Sequence, residues 1–198
     1  MPSLTRKMSV NGLCYMAMRN IDKVLAFNRE FVEGRGYEKH LTDKYPAMGL
    51  AVLSCMDTRL SVLLQEALGL KNGDAKIIKN AGAVIPSLWD SAMRSLIVAV
   101  YELGVGEIMV VAHTSCGACN MSFGHFRDEM LARGIEASAF ERSDVDLGEW
   151  LEGFHDVRAS VLKTVEVIKT HPLMPADIVV RGFVIDSATG ELTEILGE

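Results

Sequence analysis

Two stretches decide the fold: Leu50-Ala-Val-Leu-Ser-Cys-Met-Asp-Thr-Arg59 and Ile108-Met-Val-Val-Ala-His-Thr-Ser-Cys-Gly117. Each is a short aliphatic run that ends in side chains able to bind a metal: Cys55 after the first, His113 and Cys116 after the second. Apolar runs of this length, without polar alternation, read as strands buried on both faces. Open α/β sheets place their chemistry where such parallel strands end. Cys55, His113 and Cys116 are therefore the candidate ligands of one zinc ion, and the rest of the chain is read as what holds them together.

Working outward, Leu60, Leu63, Leu64, Ala67 and Leu68 fall on one helical face closed by Gly69, so a helix follows the first strand. Asp74–Lys79 reads as a second strand and Asn80-Ala-Gly-Ala as a turn. Ser87-Leu-Trp-Asp90 has the form of a capping box and opens a helix that runs to about Leu103, with Gly104 as its C-cap. Its stretch Leu96–Tyr101 is apolar on every side, which predicts burial all round. The third strand is Glu107–Ala112, and a helix is expected to begin near Gly117. Gly134–Gly148, acidic and irregular, reads as a surface loop or lid. A long helix from Leu151 ends at His171-Pro172, a strand covers Ile178–Ile185, and Glu191–Leu196 pairs back as a hairpin. Upstream, Asn20 caps an amphipathic helix that ends at Gly34 or Gly36, and residues 1–19 show no period. The order β-α-β-α-β-α-α-β-β predicts a mostly parallel, doubly wound α/β sheet with an N-terminal helical arm (1–40) and a C-terminal antiparallel hairpin, in a single domain whose core spans 50–198.

Composition narrows the function. The 198 residues carry a net charge of −6 and no Lys/Arg run, which argues against a nucleic-acid partner. The longest apolar stretch is too short to cross a bilayer, so no membrane partner is expected. Leu13–Met18 lacks a cleavage site, which points to a cytoplasmic location. No G-x-G-x-x-G follows a strand, so no nucleotide cofactor is expected. The four cysteines (Cys14, Cys55, Cys116 and Cys119) then read as metal or catalytic residues rather than as disulfides, with Cys14 an incidental thiol.

Two thiolates and a neutral imidazole balance the charge of Zn2+ and leave a fourth position for water, whose pKa the metal lowers to about neutrality. Asp57 and Arg59 follow Cys55 at spacings of two, so in an extended segment all three side chains share a face. Arg59 can hold Asp57 by a bidentate pair. Asp57 on Arg59 leaves the fourth position free, and Asp57 on the metal closes it.

Cys-x-Asp-x-Arg and His-x-x-Cys, each after an apolar strand, together with Lys79-Asn-Ala-Gly82, His171-Pro-Leu-Met-Pro175 and Arg181-Gly-Phe-Val-Ile-Asp186, resemble the β-class carbonic anhydrases over residues 47–198. The resemblance implies zinc on Cys55, His113 and Cys116, and a dyad of Asp57 and Arg59. It implies a substrate pocket lined by backbone around Gly82, and a homodimer or higher oligomer. The implied reaction is reversible hydration of carbon dioxide to bicarbonate by zinc-bound hydroxide. Two departures stand out: Ser115 occupies the position that is commonly Asp in the family, and Cys119 makes a Cys-x-x-Cys with Cys116. Alternatives on the same residues are hydrolysis of carbonyl sulfide or carbon disulfide, and a non-catalytic zinc-stabilised dimer closed by Asp57 or Cys119.

Overall fold

The computed structural model describes residues 18–197; the expectations for residues 1–17, Cys14 among them, lie outside these. The chain divides into two compact units, up to Thr42 and from Asp43 onward. The first contains helix α1 (Asn20–Glu33), capped at its end by Gly34 and with no buried residue, so that Ile21, Val24, Leu25 and Phe27 are exposed. Its N-cap is Arg19, one residue before the expected Asn20.

The second unit is a five-stranded sheet made of β1 (Leu50–Cys55), β2 (Ala75–Asn80), β3 (Glu107–His113), β4 (Val179–Ile185) and β5 (Leu192–Ile195). The strand order is β2-β1-β3-β4-β5; the first four are parallel and β5 is antiparallel to β4. This is the doubly wound sheet with a terminal hairpin that the sequence predicts. Every residue of β1 is buried, as its unbroken apolar run requires of a strand with neighbours on both edges and layers on both faces. One face carries α3 (Ser91–Leu103) and α7 (Val157–Lys169), which pack Met93, Leu96, Val161 and Ile168 against Leu53, Ile108 and Val110. The other carries α2 (Leu60–Ala67), whose Leu60 and Leu64 meet Val52 and Val111.

Helix α4 (Phe123–Ala132) and the short α5 (Ser138–Glu141) and α6 (Leu147–Leu151) fill the connection from β3 to α7. The surface stretch Gly134–Gly148 is thus partly helical. Among the described residues no helix is long and apolar enough to cross a membrane.

Capping chemistry moved several helix boundaries. Helix α3 begins after Asp90, whose carboxylate accepts from Met93 N at 2.6 Å, so Ser87 belongs to the preceding turn. The segment after Gly117 does not coil. Asn120 has φ +63 and donates its backbone N–H to Phe154 O, and α4 starts only at the Ser122 cap. The expected long helix from Leu151 is broken by that same pairing and restarts after Asp156, which accepts from Ala159 N. Helix α3 is not buried all round in the single chain: Val98 and Tyr101 are exposed, since only one side of the helix meets the sheet.

Helix α7 lies close on β4 at Gly182, where an added Cβ would overlap Val161 Cγ1 and sit 3.1 Å from Val165 Cγ2. Gly182→Ala is expected to destabilise the fold by about 1–3 kcal/mol through overpacking. Urea unfolding followed by circular dichroism measures this, with the midpoint lowered and the slope unchanged.

Candidate metal centre

The site assembles where the parallel ladder ends. Cys55 closes β1 and pairs in register with Asn80, the last residue of β2. His113 closes β3, whose residue Val111 is the partner of Ser54, and so lies beside Cys55 on the neighbouring strand. Three residues on, the turn that returns through Ser115 (φ +54) brings back Cys116. All three side chains are buried, and their ligand atoms lie within 4.8 Å of one another, with the two sulfurs 3.8 Å apart.

The chemistry of the donors tests whether a cation fits. His113 Nδ1 lies 2.9 Å from Thr114 O, which can only accept, so Nδ1 carries the proton and Nε2 presents a lone pair. That Nε2 is buried without a hydrogen-bond partner among the described residues and faces Asp57 Oδ2 at 3.8 Å. Two sulfurs, an imidazole lone pair and a carboxylate thus converge; the sulfurs can share a thiol proton, but the Nε2 lone pair has no donor among the described residues. A soft divalent cation satisfies all of them, and two thiolates with one imidazole is a donor set suited to Zn2+.

One backbone donor reaches a sulfur of the cluster directly. Gly82 donates its N–H to Cys55 Sγ at 3.4 Å. It can do so because the loop after β2 adopts left-handed conformations at Gly82 (φ +91) and Ala83 (φ +59). The Asn80 side chain staples that loop, accepting from Val84 N and donating to Val84 O. A side chain at position 82 would press on Phe154 and Ala118 as well as strain the backbone. Lys79 Nζ donates to the carbonyls of Cys55 and Leu60, so an ammonium spans the loop between ligand and helix.

Asp57 and Arg59 meet, although not by the extended alternation expected. Residues 58 and 59 form a turn, and Arg59 folds back so that Nε reaches Asp57 Oδ1 at 2.9 Å and Nη2 reaches Oδ2 at 2.8 Å. These bonds, with that from Arg59 N, hold the Asp57 carboxyl well below the usual carboxylate range. Arg59 also donates to Ser115 O at 2.9 Å and to Ser187 Oγ at 3.2 Å, a pair of contacts absent from the sequence reading. Since the Ser115 contact comes from a backbone carbonyl, the loss of the family's usual Asp there does not remove it. Cys119, the other flagged departure, stands outside the ligand cluster; its sulfur accepts from Asn120 Nδ2 and lies 3.8 Å from His155 O.

Residues 50–192 match the carbonic anhydrase family model. The Bacillus subtilis protein YtiB is 46% identical over 182 residues, covering 90% of this chain and 97% of its own. The crystal structure of β-carbonic anhydrase isoform I from Trichomonas vaginalis superposes with a TM-score of 0.83 at 33% identity, covering 91% of this chain and 99% of that one. The chain belongs to the β-carbonic anhydrase family. Also similar is the carbon disulfide hydrolase of Saccharolobus solfataricus, 30% identical over 158 residues, covering 72% of this chain and 75% of its own. Zinc is the cofactor of the β-carbonic anhydrases, and the donor set described above fits it.

Burial first, and the neighbouring Cys55 after it, push the Cys116 thiol up, so metal-free protein holds this group protonated at neutral pH. Zinc must then displace that proton, and apparent zinc affinity falls as pH falls and rises as pH rises. Calorimetric titration of metal-free protein in buffers of differing ionisation enthalpy checks this; net proton release of about one or more per zinc is the expected result.

Proposed function

We propose that this β-carbonic anhydrase is a zinc lyase that interconverts carbon dioxide with bicarbonate and a proton. One zinc per chain would sit on Cys55, His113 and Cys116, with Asp57 and Arg59 as the catalytic dyad and Gly82 backbone lining the substrate pocket. The observation that carries this reading is the convergence of two buried sulfurs and an unpartnered imidazole nitrogen beside a carboxylate already engaged by arginine.

When bound, zinc supplies a Lewis acid that lowers the pKa of water to about 7, making a nucleophile available without strong base. The chain's own residues do the rest. Cys55 and Cys116 as thiolates cancel the ion's charge, and the Gly82 N–H tempers the charge on Cys55. Asp57, kept ionised by Arg59, is an acceptor that orients a hydroxyl proton and so aims the oxygen lone pair at the carbon. Arg59 would hold the same carboxylate back from the Cys55, His113 and Cys116 cluster, so that Asp57 would not itself serve as a ligand. Because the Asp57 carboxyl is held low, its protonation does not set a rate change in the neutral range.

Carbon disulfide or carbonyl sulfide hydrolysis on the same residues is the second reading, favoured by the similarity to the archaeal carbon disulfide hydrolase. Assembly as a homodimer or higher oligomer is supported by the apolar residues left exposed on α1 and by Val98 and Tyr101 on α3. The free thiols of Cys55, Cys116 and Cys119 suit a reducing, cytoplasmic compartment.

Stopped-flow hydration of carbon dioxide by zinc-loaded protein is expected to be fast, to rise from pH 7 to about pH 9 and to vanish on chelation. No zinc-dependent rate across that range defeats the proposal, and sulfide release from carbon disulfide at a comparable rate favours the second reading. Asp57→Asn is expected to keep its zinc while kcat falls about 10- to 100-fold, as for residues that orient a metal-bound reaction from just outside the ligand shell.

A further inference from the structure

Four of the bonds made by Arg59 end on the dyad and the ligand turn, but the fifth ends on the C-terminal hairpin. Arg59 Nη1 donates to Ser187 Oγ at 3.2 Å across 128 positions of sequence. Ser187 has one hydroxyl proton, and the carbonyl of Thr114, 3.2 Å away, can only accept. With its proton directed there, the hydroxyl turns a lone pair toward the guanidinium. The serine is itself pinned, since its backbone N–H donates to Thr114 Oγ1 at 3.1 Å. The turn is stiffened from within as well: Asp186 Oδ1 accepts from Ala188 N, Thr189 N and Thr189 Oγ1. One further bond of the β3–β4 ladder, Thr114 N to Ile185 O at 3.0 Å, fixes the height of the turn beside His113.

We infer that Ser187 is a positioning residue for the Asp57–Arg59 dyad. Its hydroxyl sets the angle of the guanidinium, and through it the carboxylate, by referring Arg59 to the backbone of the segment that carries His113 and Cys116. The Arg59 side chain is close to half exposed; Asp57 and Ser115 hold its Nε and Nη2, and Ser187 holds Nη1, the guanidinium nitrogen that faces away from both, so the fork facing Asp57 has one orientation. The hairpin thus works as an outer wall of the site, a role beyond closing the sheet. This inference rests on the proposed function of the dyad.

Steady-state hydration kinetics of zinc-loaded Ser187→Ala, Ser187→Thr, Arg59→Lys and the Arg59→Lys/Ser187→Ala double variant test it. Ser187→Ala is expected to lose about tenfold in kcat, as for removal of a hydrogen bond to a charged group, with zinc content and melting temperature unchanged. Ser187→Thr, which keeps the hydroxyl, is expected to run near the wild-type rate. In the Arg59→Lys background the serine change is expected to add nothing, because its effect passes through the guanidinium. A wild-type rate for Ser187→Ala beside a slow Arg59→Lys overturns the inference and leaves the dyad standing. Wild-type rates for both overturn the dyad reading itself. Loss of zinc or of thermal stability in step with activity, or equal losses with and without Arg59, makes Ser187 a structural residue and also overturns the inference.

Discussion

Everything at the centre depends on β1 and β3 lying side by side and parallel, a register that pairs Ser54 with Val111 and so ends the two strands within one residue of each other. From β1 the chain crosses over α2 to β2 on one side, and from β3 it crosses over α7 to β4 on the other. The two connections leave in opposite directions, so a crevice opens at the carboxyl ends of β1 and β3, the expected ligand position in such sheets. Cys55 and His113 stand at that crevice because each is the last residue of its strand. A slip of one residue by either strand would turn that strand's side chain into the opposite layer.

Electrostatics explain why the crevice is so specifically furnished. Sulfurs and an imidazole lone pair crowd one small buried volume beside a partly exposed carboxylate, and buried polar atoms left there without compensation would cost about 1–3 kcal/mol each. The protein compensates from three directions: a backbone N–H from the Asn80-stapled loop, an ammonium from Lys79 across the β1–α2 loop, and the guanidinium of Arg59 on the solvent side. What remains is the space between Cys55, His113 and Cys116, where a metal cation is the complementary partner.

The strands, their succession along the chain and the convergence of Cys55, His113 and Cys116 were legible in the sequence because they rest on long-range patterning: apolar runs, helix-period faces and metal-binding residue types at strand ends. Local hydrogen-bond chemistry was not. Asp90 rather than Ser87 caps α3 because its carboxylate reaches Met93 N, and spacing alone treats both residues as caps. Asn120 leaves the helix pattern at φ +63 to pair with Phe154, a tertiary contact that no window around Gly117 contains. Arg59 lies beside Asp57 because a turn folds it back, where alternation assumed an extended segment. Ser187 and Thr114, which brace Arg59, are 73 positions apart and carry no motif. Gly82 was legible through a family resemblance, but its N–H to Cys55 Sγ required coordinates.

The most direct test of the central claim is X-ray absorption at the zinc edge of the loaded protein. The account predicts two sulfur neighbours at about 2.3 Å and imidazole nitrogen at about 2.0–2.1 Å, with a light atom completing four-coordination. A third sulfur in the shell, which would bring in Cys119, or a shell without two sulfurs, would contradict it.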